Sequence, residues 1–569
     1  MPGLLFSVNI NRSDLQKAIS FLNFPGFTIK SYSNVENRHF VAEYTYKGYP
    51  TQIWKRGHKL VFFEGMIYPK VDDTFYDVLF NFFTSSGFSD EIISKWVAKQ
   101  DGEFVILLVD NNLQQALFIN DRFGRLPVYL LKEGRKLALS REISFIHRLR
   151  TFDNPDIIGQ AQTLLFGFAL GKRTIWERIE RVKPHTQIQI DLINGRIMHK
   201  SYFGIPDQIT VYDSSSHISE LGSRFDQALK NRLSVLDKPA VSLSGGLDSR
   251  LIAASLSNQN QGVPFITYND FDQSASKDLS SAAKVIQLLG IEEQYQVIDL
   301  PQVSYEEINH ILMIKQGLNG ADMAFIQPFL YHFKKNDYTM ITGDGGDKTL
   351  DDLRPLVPII STHHLVNYLL RKHSHISIKE AAEIFSLKPD DLYQSIVDQL
   401  NAYNVDSLEN RHIHFMIRER AMNWLFEGED RNRYFTWTTT PFYSNDFFNL
   451  AMQLPMKEKA YGRTFRKLFA NYPGNLETIV NPNWNASLIE KQKIQQLFLR
   501  QKIRFLIPNV VLNLLFNNTQ HIDIEYFIKE IGMNAEDLKF YDSKWMERLK
   551  ILKLPKTSWY RILSVLRTS

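Results

Sequence analysis

Val241-Ser-Leu-Ser-Gly-Gly-Leu-Asp-Ser-Arg250 is the stretch on which the reading of this chain turns. A short apolar run leads into Ser244-Gly245-Gly246-Leu247-Asp248-Ser249, and a helical run, Leu251–Leu256, follows at once. Strand, glycine turn and helix in that order make an anion cradle. Two glycines let backbone N–H groups approach phosphate oxygens without a Cβ clash, and two serines add hydroxyl donors. The N-terminus of the helix contributes partial positive charge. Asp248 does not suit phosphate, since two anions repel, but it suits Mg²⁺ bridging a carboxylate and a pyrophosphate.

Met340-Ile-Thr-Gly-Asp-Gly-Gly-Asp347 is a second strand running into a glycine turn, and it too ends on an acid. In an open α/β sheet, ligands bind beyond the carboxyl ends of the strands. Two such loops on neighbouring strands would set Asp248 and Asp347 on opposite sides of one Mg²⁺–pyrophosphate. No GxxxxGK[ST] run occurs, which excludes the loop that serves γ-phosphoryl transfer.

The rest of the chain frames these loops. After Ser216 helical patterns alternate with strands expected at Ala240–Leu243, Phe265–Tyr268, Gln296–Asp299 and Met340–Thr342, the rhythm of a parallel sheet. The first two hundred residues are instead β-rich. Strands are expected at the N-terminus and at His39–Tyr46, Leu60–Tyr68, Phe104–Asp110, Gln115–Asn120, Val128–Lys132 and Thr186–Asp191, with helices at Asp14–Leu22 and Ile157–Phe166. The turn-rich Gly204-Ile-Pro-Asp207 separates a domain at 1–205 from one at 206–569. The fold class is α/β, a β-sandwich with flanking helices followed by a helix-rich domain with a parallel-sheet core.

With 569 residues and 44% hydrophobic content the chain can bury a large core. It contains no cysteine, which excludes disulfides, cysteine-ligated metal sites and a thiol nucleophile. No secretory signal and no apolar run near 20 residues is present, so a cytoplasmic protein with no membrane partner is expected. Net charge is +4, unevenly spread: residues 491–569 carry 14 Lys/Arg against 7 Asp/Glu. The run Lys491–Asn517 interleaves bases with Leu, Phe and Ile at helical spacing. It reads either as a docking surface for an acidic partner or as a solvated helix face; no nucleic-acid partner is expected. The pairs His363-His364, His373/His375 and His412/His414 lack carboxylates at ligand spacing and read as packing or polar residues.

The order of motifs resembles the asparagine synthetase family over nearly the whole chain, within the ATP pyrophosphatases. Its SGGLDS loop is matched outright, its acidic segment resembles Ser276-Lys277-Asp278-Leu279, and its SGEGxD loop resembles Thr342–Asp347. Its PFLD and AxxLP stretches are similar to Pro441-Phe442-Tyr443 and Ala451–Pro455. In the first half Glu64–Tyr68 is similar to NGEIYN, Asp101–Phe104 to DGxF, Asp121–Pro127 to DRFGxxP, and Thr174-Ile175-Trp176 with Lys183-Pro184 to the domain's end. The resemblance implies a glutamine-hydrolase-like (Ntn-type) sandwich and a synthetase domain that activates a carboxylate with ATP. On it, pyrophosphate binding falls to Ser244, Gly245, Gly246 and Ser249, and Mg²⁺ to Asp248 and Asp347. Contacts to ATP fall to Ser242, Leu243, Thr267, Thr342 and Gly343.

The departures redirect the chemistry. The family's nucleophilic cysteine is here Pro2, and the asparagine that holds glutamine is Glu64, so glutamine hydrolysis is not expected. Gly320–Pro328 has no arginine for an α-carboxylate, Trp437 stands for a glutamate, and the arginine-x-lysine element falls on Asn481–Asn483. Asp344 replaces the glutamate of SGEGxD and either orients the attacking amine or is held by a turn amide. The lysine that steadies developing charge is expected from Lys348, Arg463 or Arg466. Glu427, Glu429 and Asp430 read either as a replacement base or as a solvated acidic face. The pattern is similar to cysteine-less relatives, β-lactam synthetases and lasso-peptide cyclases, that join a carboxylate to a tethered amine. The expected substrate is a small molecule or peptide bearing both groups, with a precursor peptide and a leader-processing protease as partners. An ammonia-dependent asparagine synthetase and a nucleotide-binding scaffold are the alternatives.

Overall fold

A computed structural model describes the chain except residues 33–37, 73, 153, 209–212, 375, 508–520, 534–548, 551 and 567–569. His375 and the C-terminal part of the Lys491–Asn517 run therefore lie outside the described residues.

Alternating apolar residues in short runs build the first half. The strands are β1 (Gly3–Val8), β2 (Phe27–Ser31), β3 (His39–Tyr46), β4 (Thr51–Arg56), β5 (Lys59–Tyr68), a small hairpin β6 (Phe83–Thr84) and β7 (Gly87–Phe88), β8 (Asp101–Asp110), β9 (Gln115–Asn120), β10 (Tyr129–Glu133), β11 (Lys136–Ser140), β12 (Ile179–Arg181), β13 (Thr186–Asp191) and β14 (Ile197–Ser201). Apart from the β6-β7 hairpin they form two six-stranded antiparallel sheets, ordered β12-β10-β11-β1-β3-β2 and β14-β13-β9-β8-β5-β4. The inner faces interdigitate through Phe6, Val41, Phe62, Leu107, Phe118 and Leu139, all fully or almost fully buried, as expected for a sandwich. The helix Arg12–Ser20 flanks it through Leu15 and Ala18, whereas Ile157–Phe166 packs among helices of the second half.

The second half begins with the helix Ser214–Leu233. Its strands β15 (Pro239–Ser242), β16 (Phe265–Asn269), β17 (Tyr295–Asp299), β18 (Thr339–Ile341) and β19 (Thr438–Thr439) make one parallel sheet ordered β17-β16-β15-β18-β19. The two glycine loops follow β15 and β18, which pair directly from Pro239↔Thr339 to Val241↔Ile341. Register thus carries both loops to the same sheet edge. A π-helical run, Phe415–Leu425, continues into the helix Phe426–Arg433; wide turns of this kind recur at functional sites. Among the described residues no helix is long and apolar enough to cross a membrane.

The halves are joined by buried charge. Arg232 on the first helix of the second half meets Asp101 on β8 at 3.1 Å. Arg141 joins Glu64 to Asp430, Arg181 reaches Glu427, and Lys315 bridges Glu427 and Asp430 at 2.5 and 2.6 Å. This corrects one reading of the acidic run: Glu427, Glu429 and Asp430 are 3%, 1% and 0% exposed, not a solvated face. Cations supplied from the sandwich allow the run to go inside, where an unpaired carboxylate would be costly. Trp437 is buried as well, its Nε1 donating to Tyr68 Oη at 3.3 Å, so it serves the contact between the halves.

Candidate functional site

One pocket of about 430 Å³ opens at the carboxyl edge of the parallel sheet. Ser242, Ser244, Gly246, Asp248 and Ser249 of the first loop line it, as do Thr342, Gly343, Asp344, Asp347 and Lys348 of the second. The loops touch closely. A Cβ on Gly346 would fall 2.4 Å from Asp248 Oδ1, and one on Gly343 2.8 Å from the Ser249 amide nitrogen. Both positions therefore demand glycine for approach, whatever their φ. The Asp347 amide donates to Asp248 Oδ2 at 3.2 Å, which ties the second loop to the first.

The first loop satisfies its own donors. The Ser244 amide donates to Ser249 Oγ at 3.0 Å, the Gly246 amide to Ser244 Oγ at 3.2 Å, and the Gly245 amide to Asp278 Oδ1 at 3.1 Å. These amides and hydroxyls form a set of donors that an incoming polyanion can take over, at the head of the helix Leu247–Asn258. Gly245 does not line the pocket; a Cβ there would press on Pro482, Ser281 and Asp278 within 2.9 Å.

The acids are strained electrostatically. Burial, then the charges of Asp347 and Asp351, push the Asp248 carboxyl well above the ordinary carboxylate range, with Lys348 opposing. Asp351 is raised to about 7, chiefly by burial and next by Asp347. Lys348 pairs with Asp347 and is 5% exposed. Carboxylates that resist ionisation beside one another are relieved by a bound cation, so this donor set fits a divalent ion shared with phosphate oxygens. Among the described residues no group of three His, Asp or Glu is arranged to hold a metal alone.

Other expected residues fall elsewhere. Leu243 and Thr267 are buried behind the loop, where Thr267 Oγ1 donates to the Leu243 carbonyl at 2.8 Å, and the Leu243 amide donates to Ile266 at 2.9 Å. Their polar groups are taken up by the sheet, so neither lines the pocket. Arg466 and Arg463 belong to the helix Arg463–Phe469 and are absent from the lining, because the turn at Tyr461 and Gly462 directs that helix along a different groove. Of the three candidate cations, only Lys348 reaches the pocket. Pro482 backs the first loop from outside, against Gly245, and Asn481 and Asn483 are absent from the lining. The histidines are engaged locally: His412 Nδ1 contacts the Leu353 carbonyl at 2.7 Å, and His363 stacks on Tyr393.

The far wall was not foreseen as a unit. Trp424, Leu425, Gly428, Glu429, Arg431 and Asn432 come from the π-helical run and the helix after it. Arg431 is 3% exposed and donates to Asn319 Oδ1 and Asn432 Oδ1, both at 2.9 Å. Burial pulls its guanidinium down to about 10, with Asp344 and Asp322 opposing, so it stays charged at neutral pH. Among the described residues no carboxylate lies within ion-pair distance of it. Asp344 is held by Thr342 Oγ1, which donates to its Oδ2 at 3.0 Å. Burial and the charge of Glu429 raise it to about 6. Tyr268, Met323, Ile326 and Phe329 make the third, apolar side.

Comparison with known proteins is consistent with this geometry. Residues 220–352, which span both loops, match the asparagine synthase family model. The glutamine-hydrolysing asparagine synthetase of Mus musculus is 24% identical over 275 residues, 45% of this chain and 46% of the mouse protein. A putative glutamine-hydrolysing asparagine synthetase 2 of Methanocaldococcus jannaschii is 24% identical over 184 residues, 30% of this chain and 36% of its own length. The matched regions thus span less than half the length of these relatives. Among solved structures, a glutamine phosphoribosylpyrophosphate amidotransferase of B. subtilis aligns with 72% of this chain and 94% of its own at 10% identity and a TM-score of 0.25.

Proposed function

We propose that this chain, whose residues 220–352 match the asparagine synthase family model, is an asparagine synthetase-like, ATP-dependent ligase that forms an amide bond through an adenylate. The observation that carries this reading is the meeting of the two glycine loops at β15 and β18, which brings Asp248 and Asp347 into one pocket with a row of backbone and hydroxyl donors. The apolar side at Tyr268, Ile326 and Phe329 suits a purine, and the loop donors suit the phosphates. Asp248 and Asp347 would hold Mg²⁺, whose charge neutralises the pyrophosphate as it leaves. Lys348 would face the same phosphates, and Arg431, which makes no ion pair among the described residues, offers the substrate carboxylate a guanidinium.

In this reading a carboxylate oxygen attacks the α-phosphorus of ATP, the bond to the bridging oxygen breaks, and pyrophosphate leaves. An amine nitrogen then attacks the acyl carbon, loses a proton, and AMP departs. The nitrogen does not come from glutamine. Pro2 stands where the nucleophile would be, the chain has no thiol, and Glu64 fills the space against Gly3, taking hydrogen bonds from Leu4 N at 3.0 Å and Tyr49 Oη at 2.7 Å and an ion pair from Arg141. A substrate carrying carboxylate and amine together, as in lasso-type ring closure of a peptide, gains most from a pocket that holds both ends; a precursor peptide and its processing protease are the partners this implies. The test is calorimetric binding of ATP with Mg²⁺, followed by product analysis over a panel of peptide and amino-acid carboxylates. Wild type is expected to bind ATP and release pyrophosphate, and Asp248→Ala and Asp347→Ala to lose both. No binding of ATP by the wild-type chain contradicts the reading.

A further inference from the structure

The pocket wall holds one carboxylate oxygen with nothing to bond. Glu429 is 1% exposed and lines the pocket. Among the described residues its cations go to the same oxygen: Arg125 Nε and Nη2 donate to Oε2 at 3.1 and 2.5 Å, and Arg433 Nη2 donates to Oε2 at 3.3 Å. Oε1 is buried and has no hydrogen-bond partner among the described residues. Buried acceptors are paired almost without exception, so an orphan oxygen on a side chain that lines a pocket marks the place of a donor that the ligand brings.

The clamp behind it is rigid and comes from the other half of the molecule. Arg125 sits in the turn after β9, where the Asp121 carboxylate accepts the amides of Phe123 at 2.9 Å and Arg125 at 3.0 Å. Its Nη1 meets Glu103 on β8 at 3.2 Å, and its guanidinium lies over the rings of Phe426 and Tyr443 at 4.9 and 5.1 Å. Glu103 is fixed in turn by Tyr68 Oη and Thr439 Oγ1, each donating at 2.8 Å. A planar fork held on both edges cannot swing. Asp344 lies near enough to feel the charge of Glu429, so this corner attracts a cation and repels an anion. A primary ammonium, with three N–H donors on one centre, meets both acids.

We propose that Glu429 is the amine-recognition residue of this pocket, its Oε1 accepting a hydrogen bond from a primary ammonium, and that Arg125 of the N-terminal half is the positioning residue that aims it. The site stands on its own geometry, while its place in catalysis rests on the ligase reading above. The N-terminal sandwich then has a use that needs no hydrolase chemistry: it supplies the clamp.

The experiment is calorimetric titration of the full chain with n-butylammonium, with tetramethylammonium, which has no N–H, as the contrasting cation. Wild type is expected to bind butylammonium saturably and not tetramethylammonium, which tests the donor requirement on unaltered protein. Glu429→Gln, nearly isosteric, should weaken butylammonium by about tenfold or more. Arg125→Lys, which keeps the charge and loses the fork, should fall between them, and both variants should keep wild-type ATP–Mg²⁺ affinity. Equal binding of the two cations, unchanged butylammonium binding by Glu429→Gln, or no saturable binding by wild type would overturn the proposal. A wild-type chain that fails to bind ATP yet binds butylammonium defeats the ligase reading and upholds the amine site.

Discussion

Gly346 carries the second loop past Asp248 with no space for a methyl group, since a Cβ would lie 2.4 Å from the carboxylate. Gly346→Ala must therefore move Asp248 or the loop, and ATP–Mg²⁺ affinity is expected to drop about tenfold or more on calorimetry while the fold persists. Asp344 yields a prediction in pH. Its folded carboxyl is raised from 3.8 to about 6, so its contribution favours the folded state below 3.8 and is lost as pH rises through about 6. Asp344→Asn removes that dependence. The melting temperature of the variant relative to wild type should rise across this window, and a flat or falling difference would contradict the burial of the charge. At this scale the glycine loops were legible because strand, turn and helix are adjacent in sequence. Arg431 was not, and Glu429 stood only as one of three acids readable either as a replacement base or as a solvated face: Phe426–Arg433 is rich in charge, and the partner that draws Glu429 inside, Arg125, lies 304 residues away.

The elements show the same division between local and distant causes. Strands with alternating apolar residues, β3, β9 and β13, occur at the expected residues, and so does the helix Ile157–Phe166. The strands β2, β4 and β14 were missed; they sit at sheet edges, where exposed polar residues such as Thr28, Gln52 and Lys200 break the pattern. β19 is two residues long and exists only because β18 offers it a partner. The charged joints between elements are also unequal. Arg125→Ala leaves Glu103 and Glu429 buried without their shared cation and should cost about 3–5 kcal/mol in denaturant unfolding. Arg56→Ala breaks a pair with Asp77 that is 56% and 44% exposed and should cost about 0–1 kcal/mol. Equal costs would mean that the ion pairs between the halves are not buried as described.

Across the whole molecule, the antiparallel strands that end at Ser201 and the elements that begin at Ser214 follow two folding patterns but do not make two independent surfaces. Arg125, Arg141 and Arg181 from the sandwich neutralise Glu429, Asp430 and Glu427 of the second half. A chain lacking the sandwich would leave those three acids to Lys315 and Arg433 alone, and the 206–569 fragment is expected to be insoluble or to unfold well below the intact protein. The account as a whole depends on which bond of ATP is broken. Phosphorus NMR of the full chain with ATP, Mg²⁺ and the peptide panel should show AMP and pyrophosphate in equal amounts, both absent in Asp248→Ala; ADP and phosphate as the products would contradict it.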